Sequence, residues 1–227
     1  MVSADPMSES RERQRLASTF HTEVAEGPLL LADISGYTAF LQAVAEAHRD
    51  DAFADGAVPE AYRLMSSLLD GIVACIVPPF TLSKIEGDAV FAYAKAGPDL
   101  PAGELVLETI RGCYADFRSR LTDVGAIWTC SCTACARATG LDLKFVLHAG
   151  SYVLQQIAGS RELSGPDVVM AHRLLKNGAA ELVGHEAYAL ISASAVSRLQ
   201  VSATGAMPIT ETYEHYSPIS GFAFALR

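Results

Sequence analysis

The 227-residue chain has no apolar stretch long enough to cross a bilayer; its longest hydrophobic runs are strand-length or amphipathic. It has no excess of basic charge either. Seventeen Lys and Arg stand against 26 Asp and Glu, a net charge of −9. No basic face is therefore available to neutralise a phosphate backbone, which argues against nonspecific nucleic-acid binding but not against a small nucleotide held through metal. The polar, mixed-charge segment 1–26 lacks the hydrophobic centre of a signal peptide, so the expected location is the cytoplasm. No Walker-type glycine-rich loop and no nucleophile elbow occurs, which removes two common routes to phosphate and acyl chemistry. Internal repeats and low-complexity blocks are absent as well. What remains is a chain that is 50% hydrophobic, enough for a substantial core in one domain with at most an appendage.

Two segments carry most of the chemistry. Leu29-Leu-Leu-Ala-Asp-Ile-Ser-Gly-Tyr-Thr38 and Lys84-Ile-Glu-Gly-Asp-Ala-Val-Phe-Ala-Tyr93 each set one aspartate, Asp33 or Asp88, between a β-type apolar run and a glycine. A carboxylate at the end of a buried strand is costly unless its charge is compensated. One such Asp would serve equally well as a turn or helix cap. Two on neighbouring strands, with Lys84 four residues before Asp88, point to a seat for hard divalent cations that bridge phosphates.

Hydrophobic patterning gives the element order. Residues 1–26 read as a flexible leader with a short helix around Glu9–Ser18, and 27–227 as the domain. Pro28–Ile34 is a continuous apolar run, hence a buried strand. Phe40, Leu41, Val44 and Ala47 mark a helix after Gly36, and Asp50–Pro59 a loop. Leu64, Leu68, Ile72 and Cys75 stripe a second helix that Pro78-Pro79 ends. Phe80–Ile85 and Ala89–Ala94 form a hairpin. A long helix follows over Pro101–Leu121, with Leu105, Leu107, Ile110, Tyr114 and Phe117 inside. Leu141–His148 is a strand broken by Gly150, with Tyr152–Ala158 as its partner. Pro166–Asn177 is a helix opened by its proline and capped by Gly178. A strand at Tyr188–Ile191, a helix near Ser194–Leu199 and two late strands complete the sheet. The order predicts an α+β fold: a ferredoxin-like βαββαβ core with a C-terminal extension, mostly antiparallel, with helices packed on one face.

With those residues placed, the chain resembles the catalytic domain of the class III nucleotidyl cyclases over roughly Leu29 to Arg227, and more closely a prokaryotic branch with a Cys-rich insert, here about 127–139. The resemblance implies a cyclase-like fold and a metal-dependent conversion of a purine nucleoside triphosphate, with ATP the expected substrate, to a 3′,5′-cyclic nucleotide and pyrophosphate. It assigns Asp33, Asp88 and Ile34 to two magnesium or manganese ions, and Ser35, Gly36, Tyr37 and Thr38, with Ile34, to the phosphate cradle. Lys84 matches the base-reading lysine. Glu162, in Glu162-Leu-Ser-Gly165, stands where adenylate-specific members usually have Asp. Arg173 matches the arginine that stabilises the transition-state phosphate. Four residues earlier, the family's ribose-orienting Asn is replaced by Val169, which forms no hydrogen bond; His172 and Lys176 lie nearby. The resemblance further implies a head-to-tail homodimer in which Asp33 and Asp88 of one chain face Lys84, Glu162 and Arg173 of the other. The alternative is a catalytically impaired cyclase-homology domain that binds nucleotide or metal as a regulatory or structural dimer. The Gly-Gly-Asp-Glu-Phe pattern of cyclic-dinucleotide synthases is absent.

Five cysteines are present, and Cys130, Cys132 and Cys135 fall within six residues. In a reducing compartment such crowding suggests metal rather than a disulfide framework. A structural zinc ion would need a fourth ligand. The expected candidates are a histidine brought near by the fold, such as His148, Cys113 at the preceding helix, or a partner subunit, with a metal-free reduced cluster or a redox-sensitive loop as the other readings. His21 and His48 read as surface or helix residues.

Overall fold

A computed structural model describes residues 22–49 and 58–227. The helix expected at Glu9–Ser18 and most of the loop expected at Asp50–Pro59 lie outside them. Strand β1 (Thr22–Ser35) is followed by helices α1 (Tyr37–Ala47) and α2 (Glu60–Ile76), the hairpin β2 (Thr81–Glu86) and β3 (Ala89–Tyr93), the long helix α3 (Gly103–Ile127), the short α4 (Thr133–Ala136) and a 3-10 turn at Arg137–Gly140. Strands β4 (Asp142–Ile157) and β5 (Ser160–Ser164) lead to α5 (Pro166–Arg173) and α6 (Ala179–Val183). The chain ends with β6 (Tyr188–Ser192), α7 (Ala193–Leu199), β7 (Met207–Glu211) and β8 (Ile219–Ala225).

The strands form one eight-stranded sheet in the order β2-β3-β1-β4-β6-β8-β7, with β5 paired to β4. Its first four strands give the order β4-β1-β3-β2, the arrangement of a βαββαβ core. All pairings are antiparallel except β4 with β6. The expected α+β fold, mostly antiparallel with its main helical layer on one face, is therefore what the chain adopts.

The uninterrupted apolar run of β1 has a simple cause: both faces of the strand are covered. Leu30, Ala32 and Ile34 join the core under α1, α2 and α3, while Leu29 and Leu31 join a second core on the opposite face with Phe91, Tyr93, Val146 and residues of α5 and α6. Because side chains alternate along a strand, each core takes every second residue. No described helix is long and apolar enough to cross a membrane.

Four local expectations are corrected. β1 begins at Thr22, so the end of the segment read as a leader is strand, paired with β4 from Thr22 opposite Gln155. Gly150 does not break β4, which pairs with β1 without interruption from Asp142 to Gln155. A Cβ there would lie 2.1 Å from Cγ of Asp167; the bare backbone lets that carboxylate dock and accept the Ser151 amide at 2.7 Å. The helix expected to Asn177 stops at Arg173. The Asn177 side chain donates to the Leu174 carbonyl and accepts from the Ala179 amide, and Gly178 precedes the next helix instead of capping this one. In α3 the inward stripe runs through Val106, Leu107, Ile110, Phe117 and Leu121, while Leu105 is 47% exposed.

Candidate functional site

The end of β1 and the β2–β3 turn meet because β1 pairs with β3 from Leu29 opposite Tyr93 to Asp33 opposite Ala89. The Ile34 amide then donates to the Asp88 carbonyl at 3.2 Å. The register puts Asp33 and Asp88 next to each other, and their charges are coupled. Burial and then the Asp33 charge push the Asp88 carboxyl above the usual range, with Lys144 opposing. Tyr37, at the start of α1, has its phenol raised by burial and by the charge of Asp88. The Ser35 hydroxyl beside them is buried without a partner among the described residues.

Sequence reasoning missed the residue that compensates Asp33. Lys144 stands directly opposite it on β4, and its ammonium lies 3.0 Å from Asp33 Oδ2, with side chains 19% and 16% exposed. Burial works against the charge on Lys144, but the hydrogen bond and attraction of Asp33 outweigh it and leave the lysine more basic than usual. The strand that carries Lys144 is legible in the sequence; that its partner is Asp33 depends on register.

Directly opposed strand residues share a face. The ladders Asp33–Lys144, Asp33–Ala89–Glu86 and Leu31–Phe91–Lys84 therefore put Asp33, Lys144, Glu86 and Lys84 on the face away from the long helices. On that face Lys84 Nζ is 3.1 Å from both Glu86 and Glu162, two residues on different strands. The hydrogen bonds that Lys84 donates to Glu86 and then to Glu162 raise its pKa. Glu86 also lies 2.8 Å from His172 Nε2, whose ring donates from Nδ1 to the Val168 carbonyl and packs edge-on against Phe91. Burial pushes the Glu86 carboxyl up, but Lys84 and His172 overcome it and hold it below its usual range. Arg173 is half-buried, stands 5.4 Å over the Tyr216 ring, and leaves its Nε without a partner among the described residues. Val169 on the same helix is 46% exposed. Thus Lys84 and Glu162 come together within one chain, Asp33 and Asp88 form a second group, and Arg173 contacts neither in the described structure.

The donor set suits a hard cation. Two carboxylates supply oxygen ligands, and the charge strain on Asp88 is what a cation would relieve. Lys144 already places one positive charge on Asp33, so a second ion would have to share Asp33 or displace the lysine.

A further group lies at the far end of α1. His48 Nε2 is 3.6, 3.3 and 3.4 Å from the sulfurs of Cys130, Cys132 and Cys135, and the four ligand atoms all lie within 4.8 Å of one another. Among the described residues the fourth member is thus a histidine brought near by the fold, as expected, but it is His48 and neither His148 nor Cys113. His148 is committed to Ser192 and Asp167, 3.0 and 3.3 Å from its ring nitrogens, and Cys113 is hydrogen-bonded to Cys75 inside the helical layer. His48 sits just past α1, more than 80 residues before the cysteines, and no local spacing announces it.

The chain is similar to several known proteins. It is 33% identical over 113 residues to an uncharacterized protein of Mycobacterium tuberculosis, a match covering 50% of this chain and 51% of that protein. The chain thus spans about half the length of the curated relative it matches. Among solved structures, an adenylyl cyclase from Pseudomonas aeruginosa aligns with TM-score 0.54 at 15% identity, over 89% of this chain and 95% of the other. The catalytic core of a rhodopsin-guanylyl cyclase with converted specificity, in complex with ATPαS, aligns with TM-score 0.56 at 14% identity, over 90% and 99%. A class III adenylyl cyclase-like ATP-binding protein from Pseudomonas aeruginosa aligns with TM-score 0.54 at 16% identity, over 78% of this chain and 35% of that one. The family profile described as "Protein of unknown function (DUF2652)" matches residues 65–182. Profile and fold together settle the placement: the chain belongs to the DUF2652 family and carries the fold of the class III adenylyl and guanylyl cyclase catalytic domains.

Proposed function

We propose that this chain is a metal-dependent purine nucleotidyl cyclase-like protein that takes a nucleoside triphosphate, ATP in the first instance, to its 3′,5′-cyclic product and pyrophosphate. The observation that carries this reading is the pair Asp33 and Asp88, drawn together by strand pairing on a cyclase-like fold and leaving Asp88 under the charge strain a cation relieves. Asp33 and Asp88 would hold magnesium or manganese, which when bound assists attack of the ribose 3′-hydroxyl on the α-phosphate. Ile34 to Thr38 would cradle phosphate oxygens through the amides opening α1. Lys84 and Glu162, 3.1 Å apart, present a donor and an acceptor side by side, the pair needed to read a purine edge. Arg173 would meet the α-phosphate. The reading brings these groups together in a head-to-tail homodimer, the carboxylates from one chain and the base readers and Arg173 from the other.

A second reading, a nucleotide-binding domain without turnover, has two specific observations behind it. Lys144 already neutralises Asp33, and Val169 offers no hydrogen bond where a ribose would need one. The ATP-binding description of one structural neighbour is compatible with it.

Purified protein assayed with ATP and with GTP in the presence of Mn2+ is expected to release cyclic nucleotide. Asp88→Ala should lower that rate at least about 100-fold, the loss typical of removing an essential electrostatic group. A dimeric, manganese-supplied wild type that makes no product, yet is thermally stabilised by the nucleotide, would replace the first reading with the second. No product and no stabilisation would remove both.

A further inference from the structure

We propose that His48, Cys130, Cys132 and Cys135 are the four ligands of one tetrahedral zinc ion, a closed structural site that clamps the C-terminal end of α1 to the cysteine-rich insert. This does not rest on the cyclase reading, since the site lies at the opposite end of α1 from the Ile34–Thr38 segment, roughly 16 Å of helix away.

The argument begins with convergence. Three sulfurs surround a single ring nitrogen at 3.3, 3.4 and 3.6 Å. An imidazole nitrogen carries either one proton or one lone pair, so it can make one directed hydrogen bond, not three. A cation at the centre of the cluster satisfies all four atoms at once. The distances agree with that geometry. Zn–S bonds of about 2.3 Å and a Zn–N bond of about 2.0–2.1 Å at tetrahedral angles put each sulfur about 3.5–3.6 Å from the nitrogen.

Donor chemistry selects the ion. Three thiolates and one imidazole are the ligands of structural zinc, and hard oxygen-seeking cations are poor competitors for them. With four protein ligands no position is left for water or substrate, so the site stabilises structure and does not activate a nucleophile. A disulfide would use two of the three sulfurs and strand the third.

The surroundings show what the clamp holds. Cys135 is buried and its amide donates to the Cys132 sulfur at 3.3 Å, so the short helix α4 is built around the ligands. Glu60, the first residue of α2, accepts from the amides of Thr129 and Cys130 at 3.2 Å and from the Thr129 hydroxyl at 2.7 Å. The insert is thereby tied to the end of one helix through the ion and to the start of the next through a carboxylate.

The test is metal content of the full chain purified without chelator. About one zinc per chain is expected by elemental mass spectrometry, released by a mercurial thiol reagent. His48→Ala and Cys132→Ser should lose the ion to a chelator concentration that leaves the wild type loaded, while His148→Ala and Cys113→Ser should keep it. Should the ligand variants fail to fold, the wild type still decides. Stripped of metal and titrated with Co2+, it should develop the intense visible bands of tetrahedral cobalt with thiolate charge transfer, and Trp128, the chain's single tryptophan, within the insert, should change its emission. Wild type that holds no zinc and gives no tetrahedral cobalt spectrum would overturn the proposal. So would a folded His48→Ala chain that retains zinc as tightly as wild type.

Discussion

Replacing Lys144 with methionine should lower the unfolding free energy by about 3–5 kcal/mol near neutral pH in metal-free buffer, the usual cost of removing one partner from a buried ion pair. Methionine keeps most of the side-chain stem, so the change is chiefly one of charge. The pair is well enough buried for that figure to apply: both side chains are under one-fifth exposed and the contact is 3.0 Å. What is left behind is worse than one bare carboxylate, because Asp33 then faces Asp88, which burial and the Asp33 charge already push upward.

The pH dependence follows from that direction. A carboxyl raised above its unfolded value binds protons in the folded state that the unfolded chain has released. Its contribution to stability is complete below the ordinary aspartate range and is lost as pH rises through the folded value. Removing Lys144 leaves only the hydrogen bond from Asp88's own backbone to lower that carboxyl, so the folded value moves up and the loss extends closer to neutrality. The deficit of Lys144→Met relative to wild type should therefore shrink between about pH 7.5 and about pH 5.

A divalent cation should act as acid does, and more strongly. Manganese binding the folded state at a hundred times its dissociation constant adds about 2.7 kcal/mol. In the variant it meets an unopposed carboxylate pair, whereas in wild type it competes with an ammonium. Urea midpoints with and without Mn2+ at both pH values measure this. A variant as stable as wild type, or one whose stability ignores both acid and manganese, would mean that Asp33 and Asp88 are not a cation seat.

Much of the fold could be read from residue patterns because its causes are local. The doubly buried β1 shows as an unbroken apolar run, the hairpin as two β-type runs around Glu86-Gly87-Asp88, and the long helices as 3.6-residue stripes. The errors fall where a distant residue decides. Gly150 looks like a strand end until Asp167 docks on it, and Gly178 looks like a helix cap until Asn177 links two helices. The site divides in the same way. Three cysteines within six residues announce themselves, but the histidine that completes them is found only by folding α1 against the insert. The aspartates are conspicuous between an apolar run and a glycine, but Lys144 becomes their partner only through the β1–β4 register, in which a one-residue slip would turn it to the other face.

That register and the β1–β3 pairing depend on a point remote from the site, which gives the other large effect expected here. Gly27→Ala should cost about 3–5 kcal/mol, combining an overlap the core cannot relax with a backbone conformation that suits only glycine. Gly27 has φ +155°, and a Cβ there would lie 1.9 Å from the Ala94 carbonyl oxygen and 3.1 Å from the Ala96 nitrogen. These are backbone atoms, so no rotamer change can make room. The chain leaving β3 must move, and with it the hydrogen bonds from the Ala94 amide to the Pro28 carbonyl at 3.0 Å and from the Ala96 amide to the Glu26 carbonyl at 2.6 Å. Those bonds continue the ladder that runs on to Asp33 opposite Ala89 and brings Asp88 beside it. Loosening its far end should therefore weaken the manganese response as well as lower the urea midpoint. Gly159→Ala is the control. Gly159 also has a positive φ, +86°, but nothing lies within 4 Å of its Cβ position, so only the local strain of about 1–2 kcal/mol is expected. If the two variants lost equal stability, the close approach at Gly27 would not be what fixes β1 against β3.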